Sequence, residues 1–233
     1  MFIGIGDYEG TEVIDGEGKY IVPGLIDSHV HIESSMGTPY QFARAVLPRG
    51  TTTVISDCHE IANVKGIEGI NYMLKSSQNL PLDVYFMLPS CVPATPFETS
   101  GARLEAEDLE ELMQHERVLG LGELMNYPGV VFTEEGIMRK LELTDKYHKI
   151  VDGHGPVIKE KELNAYSLAG VKTDHECTNH KEVLDRLRNG IYVAIREGSA
   201  AKNLLNLVGA VNPFSERRFT FCTDDRHPKD ILY

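Results

Sequence analysis

The chain has 233 residues, 42% of them hydrophobic, and its 35 acidic against 23 basic side chains give a formal net charge of −12. That length suits one large domain or two small ones with ample core material, and the acidity, with no Lys/Arg cluster longer than a pair, speaks against a nucleic-acid partner. No apolar run nears the roughly 18 residues that cross a membrane, and no basic-then-apolar leader opens the chain. Cys58, Cys91, Cys177 and Cys222 stand singly, which favours the reducing cytoplasm over a disulfide framework or a zinc ribbon.

In chain order, residues 1–20 are too few to fold alone and read as the remnant of an N-terminal β segment. Residues 21–233 read as a catalytic barrel. Tyr20-Ile21-Val22-Pro23-Gly24 leads into a first strand, Leu25–Ile32. Thr38-Pro39 then caps and opens a helix through Phe42, Ala45 and Val46. Strands follow at Thr51–Asp57 and Asp83–Ser90. A helix over Glu105–His115 gathers Leu109, Leu112 and Met113 on one face, with acids at its start where the helix dipole favours them. Further strands fall at Val118–Leu124, Ile150–Pro156 and Gly170–Glu176. A helix over Lys181–Asn189 groups Val183, Leu184 and Leu187 and stops at Gly190. The last strands are Tyr192–Ser199 and Arg218–Asp225. Short β-branched runs alternating with helical spacing predict an α/β chain of parallel strands with helical crossovers. Eight such units close into a TIM-like (β/α)8 barrel; an open doubly wound sheet is the alternative. With Tyr233 so soon after the eighth strand, the barrel is expected to lack its last helix and C-terminal part, as in a fragment of a longer protein. Apolar surface left bare there favours a homo-oligomer.

The chemically capable residues recur at the C-terminal ends of these runs: His29 and His31, Asp57 and His59, Ser90, Glu123, His154, His175, Glu197, Asp224 and Asp225. Parallel barrels build their sites at that face, where all strand ends converge. Residues two apart on a strand share a face, so both imidazoles of His29-Val30-His31 reach one ion. Glu123 ends the apolar run Leu119-Gly120-Leu121-Gly122; such a carboxylate is a bridge between cations or half of a structural salt bridge. His154 and His175 each follow an apolar strand, and Asp224 reads as a ligand, a general base or both. Together these strand ends hold four histidines and two acids, the inventory for two divalent ions with open positions. His115, His148 and His180 fall in helical or loop stretches and read as surface residues; His227 is left open. Cys58, next to His59, is a conceivable nucleophile, but strand neighbours face opposite ways.

Pro23-Gly24-Leu25-Ile26-Asp27-Ser28-His29-Val30-His31 resembles the opening signature of the amidohydrolase superfamily, a distorted TIM barrel of metal-dependent hydrolases. Longer strings are similar to its adenine deaminase branch: His31-Ile32-Glu33-Ser34-Ser35-Met36, His59-Glu60-Ile61-Ala62-Asn63, Leu88-Pro89-Ser90-Cys91-Val92-Pro93-Ala94-Thr95, Gly122-Glu123-Leu124-Met125-Asn126-Tyr127-Pro128-Gly129, Ile195-Arg196-Glu197-Gly198-Ser199-Ala200-Ala201-Lys202-Asn203 and Cys222-Thr223-Asp224-Asp225-Arg226-His227-Pro228. The likeness runs from about Gly18 to the end. Cys58 stands where the pattern leads one to expect proline, and Gly37 where it leads one to expect an apolar residue.

The resemblance implies that His29, His31 and Asp224 hold a first metal, that Glu123 bridges, and that His154 and His175 hold a second. Ligands without thiolate suit manganese, iron or zinc, and the resemblance favours manganese or iron. It implies a small purine substrate and hydrolytic deamination of adenine to hypoxanthine and ammonia by a metal-activated hydroxide. Asp224 would take the proton, His59 (or Glu60 or Glu197) would help it on, and His175 would stabilise the tetrahedral species. Arg196, Glu197, Ser90 and Asn126 are the strand-end residues expected at the purine. The alternatives are another amidohydrolase reaction, on a cyclic amide or other nucleobase, and a metal-binding fragment without a complete pocket.

Overall fold

Residues 4–232, the part of the chain that this computed structural model describes, contain nine strands and nine α-helices. In order they are β1 (Leu25–His31), α1 (Pro39–Val46), β2 (Thr51–Asp57), α2 (His59–Ser76), β3 (Asp83–Pro89), α3 (Ala106–Met113), β4 (Val118–Leu124), α4 (Tyr127–Val131), α5 (Glu135–Lys146), β5 (Ile150–Gly153), α6 (Glu160–Leu168), β6 (Val171–Asp174), α7 (His180–Arg188), β7 (Tyr192–Arg196), α8 (Leu204–Leu207), β8 (Phe219–Cys222), β9 (Asp224–Asp225) and α9 (Pro228–Leu232). Each strand from β1 to β8 lies parallel to the next, and β9 lies parallel to β1. Because β9 continues β8 after the single residue Thr223, this last pairing turns the sheet back on its first strand. The barrel expected from the eight runs is the fold. No helix among the described residues is long and apolar enough to cross a membrane.

The expected strand Arg218–Asp225 is thus two strands, and the cause is Asp27. Its buried carboxylate accepts from the backbone N–H of Thr223 at 3.1 Å and from the Thr223 hydroxyl, drawing that residue out of the ladder. Beyond the break, Val30 pairs with Asp224 and His31 with Asp225. The Ser28 hydroxyl lies 2.9 Å from both Thr220 Oγ1 and Phe221 O at the same seam. Other strands end earlier than their apolar runs. β5 stops at Gly153 instead of Pro156, because the His154 N–H is taken by the Tyr166 hydroxyl (2.9 Å) and proline has no N–H to offer a ladder. Residues 4–24 form no strand and are exposed, and an unpaired strand is not stable in water. Residues 1–3 of the expected β remnant lie outside the described residues.

Local chemistry explains the helix starts. Thr38 Oγ1 accepts from Gln41 N–H (3.4 Å) with Pro39 at the first helical position of α1. α3 opens with a reciprocal capping box between Glu105 and Asp108. Asn179 Oδ1 accepts from Glu182 N–H (3.1 Å), so α7 begins at His180, one residue before the apolar pattern suggests.

Arg186 of α7, 1% exposed, locks the β5–β6 side. Its Nε donates to Asp174 Oδ2 (3.0 Å), and its Nη atoms donate to the carbonyls of Ile158 and Gly155. Replacing it with methionine is expected to cost about 3–5 kcal/mol, because the Asp174 charge is left buried and unpaired. Urea unfolding checks this, and D174N in the same chain should recover part of the loss.

Candidate metal centre

His29 and His31, 1% and 2% exposed, project from one face of β1 into the barrel, with Nε2 atoms 3.2 Å apart. Glu123 reaches them from the end of β4. Only glycine fits at the preceding position: a Cβ on Gly122 would lie 2.3 Å from Asp57 Oδ2 and 2.4 Å from Met87 Cβ. Glu123 Oε1 lies 2.8 Å from His29 Nε2, 3.0 Å from His31 Nε2 and 3.3 Å from His175 Nε2. Its Oε2 lies 3.6 Å from His59 Nδ1 and 3.7 Å from His154 Nδ1. Asp224 Oδ1 comes within 3.1 Å of His31 Nε2 and 3.6 Å of His29 Nε2. The six residues whose types and strand-end positions suggest a two-ion site therefore meet at one mouth. Two groupings whose candidate donor atoms all lie within 4.8 Å of one another, His29/His31/Glu123/Asp224 and Glu123/His154/His175, share Glu123. Both carboxylates stand on left-handed backbone, φ 28° at Glu123 and 55° at Asp224, a conformation that non-glycine residues keep only where the surroundings impose it.

Cations fit this donor set. His29 Nδ1 donates to Asp152 Oδ2 (2.9 Å) and His31 Nδ1 to the carbonyl of Asp57 (3.0 Å). In their neutral forms, both rings then turn Nε2 lone pairs toward each other and toward carboxylate oxygens. Only a proton or a metal ion between them relieves that repulsion. Buried Nδ1 and Nε2 of His175, and Nδ1 of His154 and His59, have no hydrogen-bond partner among the described residues, which is costly unless something else binds them.

Burial penalises charge on His29, His31, His59, Glu123 and Asp224, and the pairings outweigh it. Carboxylates of Asp152, Asp224 and Glu123 carry His29 and His31 well above the ordinary imidazole range. Glu123 sits well below the usual carboxylate range because four imidazoles face it, and Asp224 is held low by His29 and His31. His59 is also desolvated, yet the Asp57 carboxylate pushes it up to about 8. Metal uptake must displace these protons, so it is favoured by rising pH.

A surrounding layer holds the mouth in place. Glu176 pairs with Arg196, and Arg196 Nη1 donates to Asp224 Oδ2 (3.1 Å) while its Nε donates to Asn203 Oδ1 (3.2 Å). Sequence reasoning singled out neither Asp152 nor Glu176 for the site. Asp152 lies two residues before His154, and this period-2 relation was the available signal. Glu176 adjoins His175.

The four residues expected at a substrate divide. Arg196 lines the mouth, a cavity of about 270 Å³ whose apolar part is Met125, Ala200 and Ala201, but its guanidinium is engaged by the two acids. The other three do not line that cavity. Glu197 Oε2 turns away to accept from Leu204 N–H (3.2 Å). Ser90 is fully buried, its hydroxyl donating to the Glu123 carbonyl. Asn126 caps α4 through Gly129 N–H (2.9 Å) and donates to Glu134 (2.9 Å). A strand-end position sets height on the barrel, not direction, so each is bonded elsewhere: Glu197 and Asn126 within their own loops, Ser90 at the end of β4. Of the proton carriers considered, Glu60 accepts from Ser34 (2.9 Å), and His59 lines the mouth. Cys58 is buried, which pushes its thiol up, and it lines no part of the mouth. Gly37 has room for a Cβ at ordinary contact distance. His148, His180 and His227 are exposed and His115 half-buried.

Comparison with known proteins gives three findings. The model of the amidohydrolase family matches residues 20–220. An adenine deaminase of Clostridium acetobutylicum is 64% identical over 99% of this chain and 40% of its own length; adenine deaminase 2 of Carboxydothermus hydrogenoformans is 56% identical over 98% of this chain and 40% of its own. The chain thus spans about 40% of the length of these curated relatives. Among solved structures, a TatD-family hydrolase from Entamoeba histolytica superposes with a TM-score of 0.57 at 14% identity, covering 88% of this chain and 75% of that one, a likeness of fold.

Proposed function

The chain belongs to the amidohydrolase family, and from that premise we propose that it is the metal-holding barrel of an enzyme that converts adenine and water to hypoxanthine and ammonia. The observation that carries this reading is the two-sided contact of Glu123, whose Oε1 faces His29, His31 and His175 while Oε2 faces His154 and His59. Identity of 64% to a named adenine deaminase, over 99% of the chain, supports the choice of substrate.

His29, His31 and Asp224 would hold one divalent cation and His154 and His175 a second, with Glu123 placed between the two groups. Cations held there supply charge that lowers the pKa of water into the neutral range. Asp224 accepts the proton of the attacking water. His59, half-buried at the mouth and raised to about 8, carries a proton toward the departing amine. Met125, Ala200 and Ala201 give the planar ring an apolar wall, and Glu176 offers a carboxylate to ring N–H groups. Nitrogen and oxygen donors suit manganese or iron. Four unpaired, buried cysteines fit a cytoplasmic setting.

The test is ammonia release from adenine by the manganese- or iron-loaded chain, beside a protein of the relatives' full length, with other nucleobases and cyclic amides in parallel. Turnover of adenine above the others is expected. Two bound ions with no release from adenine in either protein would falsify the reading.

A further inference from the structure

We propose that Ser90 and Lys140 are positioning residues that hold Glu123 in its two-sided conformation; the inference rests on reading Glu123 as the shared ligand. One residue grips both carbonyls that flank the strained position. The Ser90 N–H donates to Gly122 O at 3.0 Å, and its hydroxyl donates to Glu123 O at 2.5 Å. Met125 N–H, at 2.6 Å, is the second donor to that Glu123 oxygen. A left-handed φ of 28° at a glutamate persists only where the surroundings over-determine it. Turning the Glu123 peptides back to an extended conformation would tear at least one of these bonds. The Ser90 hydroxyl is fully buried behind the site and lines no part of the mouth, so it acts on Glu123 and not on a substrate.

Lys140 in turn holds Ser90. Its ammonium, 5% exposed, donates to Ser90 O at 2.8 Å and to Leu104 O at 2.6 Å, and it forms no ion pair among the described residues. Charged donors make shorter and stronger bonds to carbonyls than neutral ones, so α5 pins the end of β3 and, through Ser90, the end of β4. Fixing a ligand through its backbone is the kind of outer support that keeps a metal site's geometry.

The whole chain is loaded with Mn(II), and bound ions, electron paramagnetic resonance and thermal unfolding are measured for the wild type, S90A, S90T and K140M. The wild type is expected to give the spectrum of a coupled pair. S90A should bind the second ion about 10–100-fold more weakly and show isolated Mn(II), while its metal-free unfolding stays close to wild type. S90T, which restores the hydroxyl, should restore the coupled spectrum, and K140M should shift it in the direction of S90A. A coupled pair of wild-type affinity in S90A overturns the proposal, as does S90T failing to rescue. A wild-type chain that takes up one ion or none overturns the two-ion reading instead. The positioning claim is then decided by the metal-free crystal structure of S90A, where Glu123 is expected to leave its positive φ and persistence there refutes it.

Discussion

If the proposed deamination holds, replacing Asp224 by asparagine is expected to lower adenine turnover by about 10²–10⁴-fold at saturating metal, the range general-base removal produces. The substitution suits the backbone, since asparagine tolerates the left-handed conformation that Asp224 adopts at φ 55°. It fails on chemistry. Asp224 Oδ1 faces His31 at 3.1 Å, and Oδ2 accepts from Arg196 at 3.1 Å. An amide has one oxygen for these two places, and its NH2 group cannot take up a proton from water. Unchanged turnover with counted ions would remove Asp224 from the chemistry. Turnover lost with the ions, but regained in excess Mn(II), would restrict it to holding metal.

A still wider effect is expected of Glu123→Gln: loss of the ion pair, and turnover reduced on the order of 10³-fold or more, the equivalent of several kcal/mol of charge stabilisation. Among the described residues, Glu123 is the carboxylate common to the His29/His31/Glu123/Asp224 and Glu123/His154/His175 groupings, so its loss is felt in both. The same variant reports on the metal-free protein. Burial disfavours charge throughout the cluster, yet His29 and His31 are raised and Glu123 lowered by their mutual contacts. The raised imidazoles stabilise the fold fully below the ordinary imidazole range, and that contribution is lost as pH climbs through their folded values. Stabilisation from the lowered carboxylate is present above the ordinary carboxylate range and lost as pH falls through its folded value. Removing one charge weakens both limbs. Melting temperatures of metal-free E123Q should therefore vary less with pH than those of the wild type, most clearly on the alkaline side. Parallel curves for the two proteins would show that the cluster is not held by charge.

Local geometry alone made much of this legible in the residues. Strand periodicity put His29 and His31 on one face, and polar residues closing apolar runs announced a site at the strand ends of a parallel barrel. Thr38-Pro39 and Glu105 marked helix starts because capping is a contact between neighbours in sequence. What the residues alone left open depends on partners far along the chain. His29 finds Asp152 across 123 positions, and Ser90 finds the Glu123 carbonyl across 33. Neither pairing has a local signature. Closure of the ring, through Asp27 and Thr223, broke a continuous apolar run into β8 and β9 and put Asp224 on left-handed backbone. A side chain's Cβ makes that conformation uncommon, though aspartate tolerates it better than most residues, so nothing in the run itself announces it. The sequence determined that His29 and His31 share one face and that polar residues close the strands, because side-chain alternation is a property of one strand. The tertiary structure decided which of them are free to act there, because that depends on what the neighbouring strands and loops already bind.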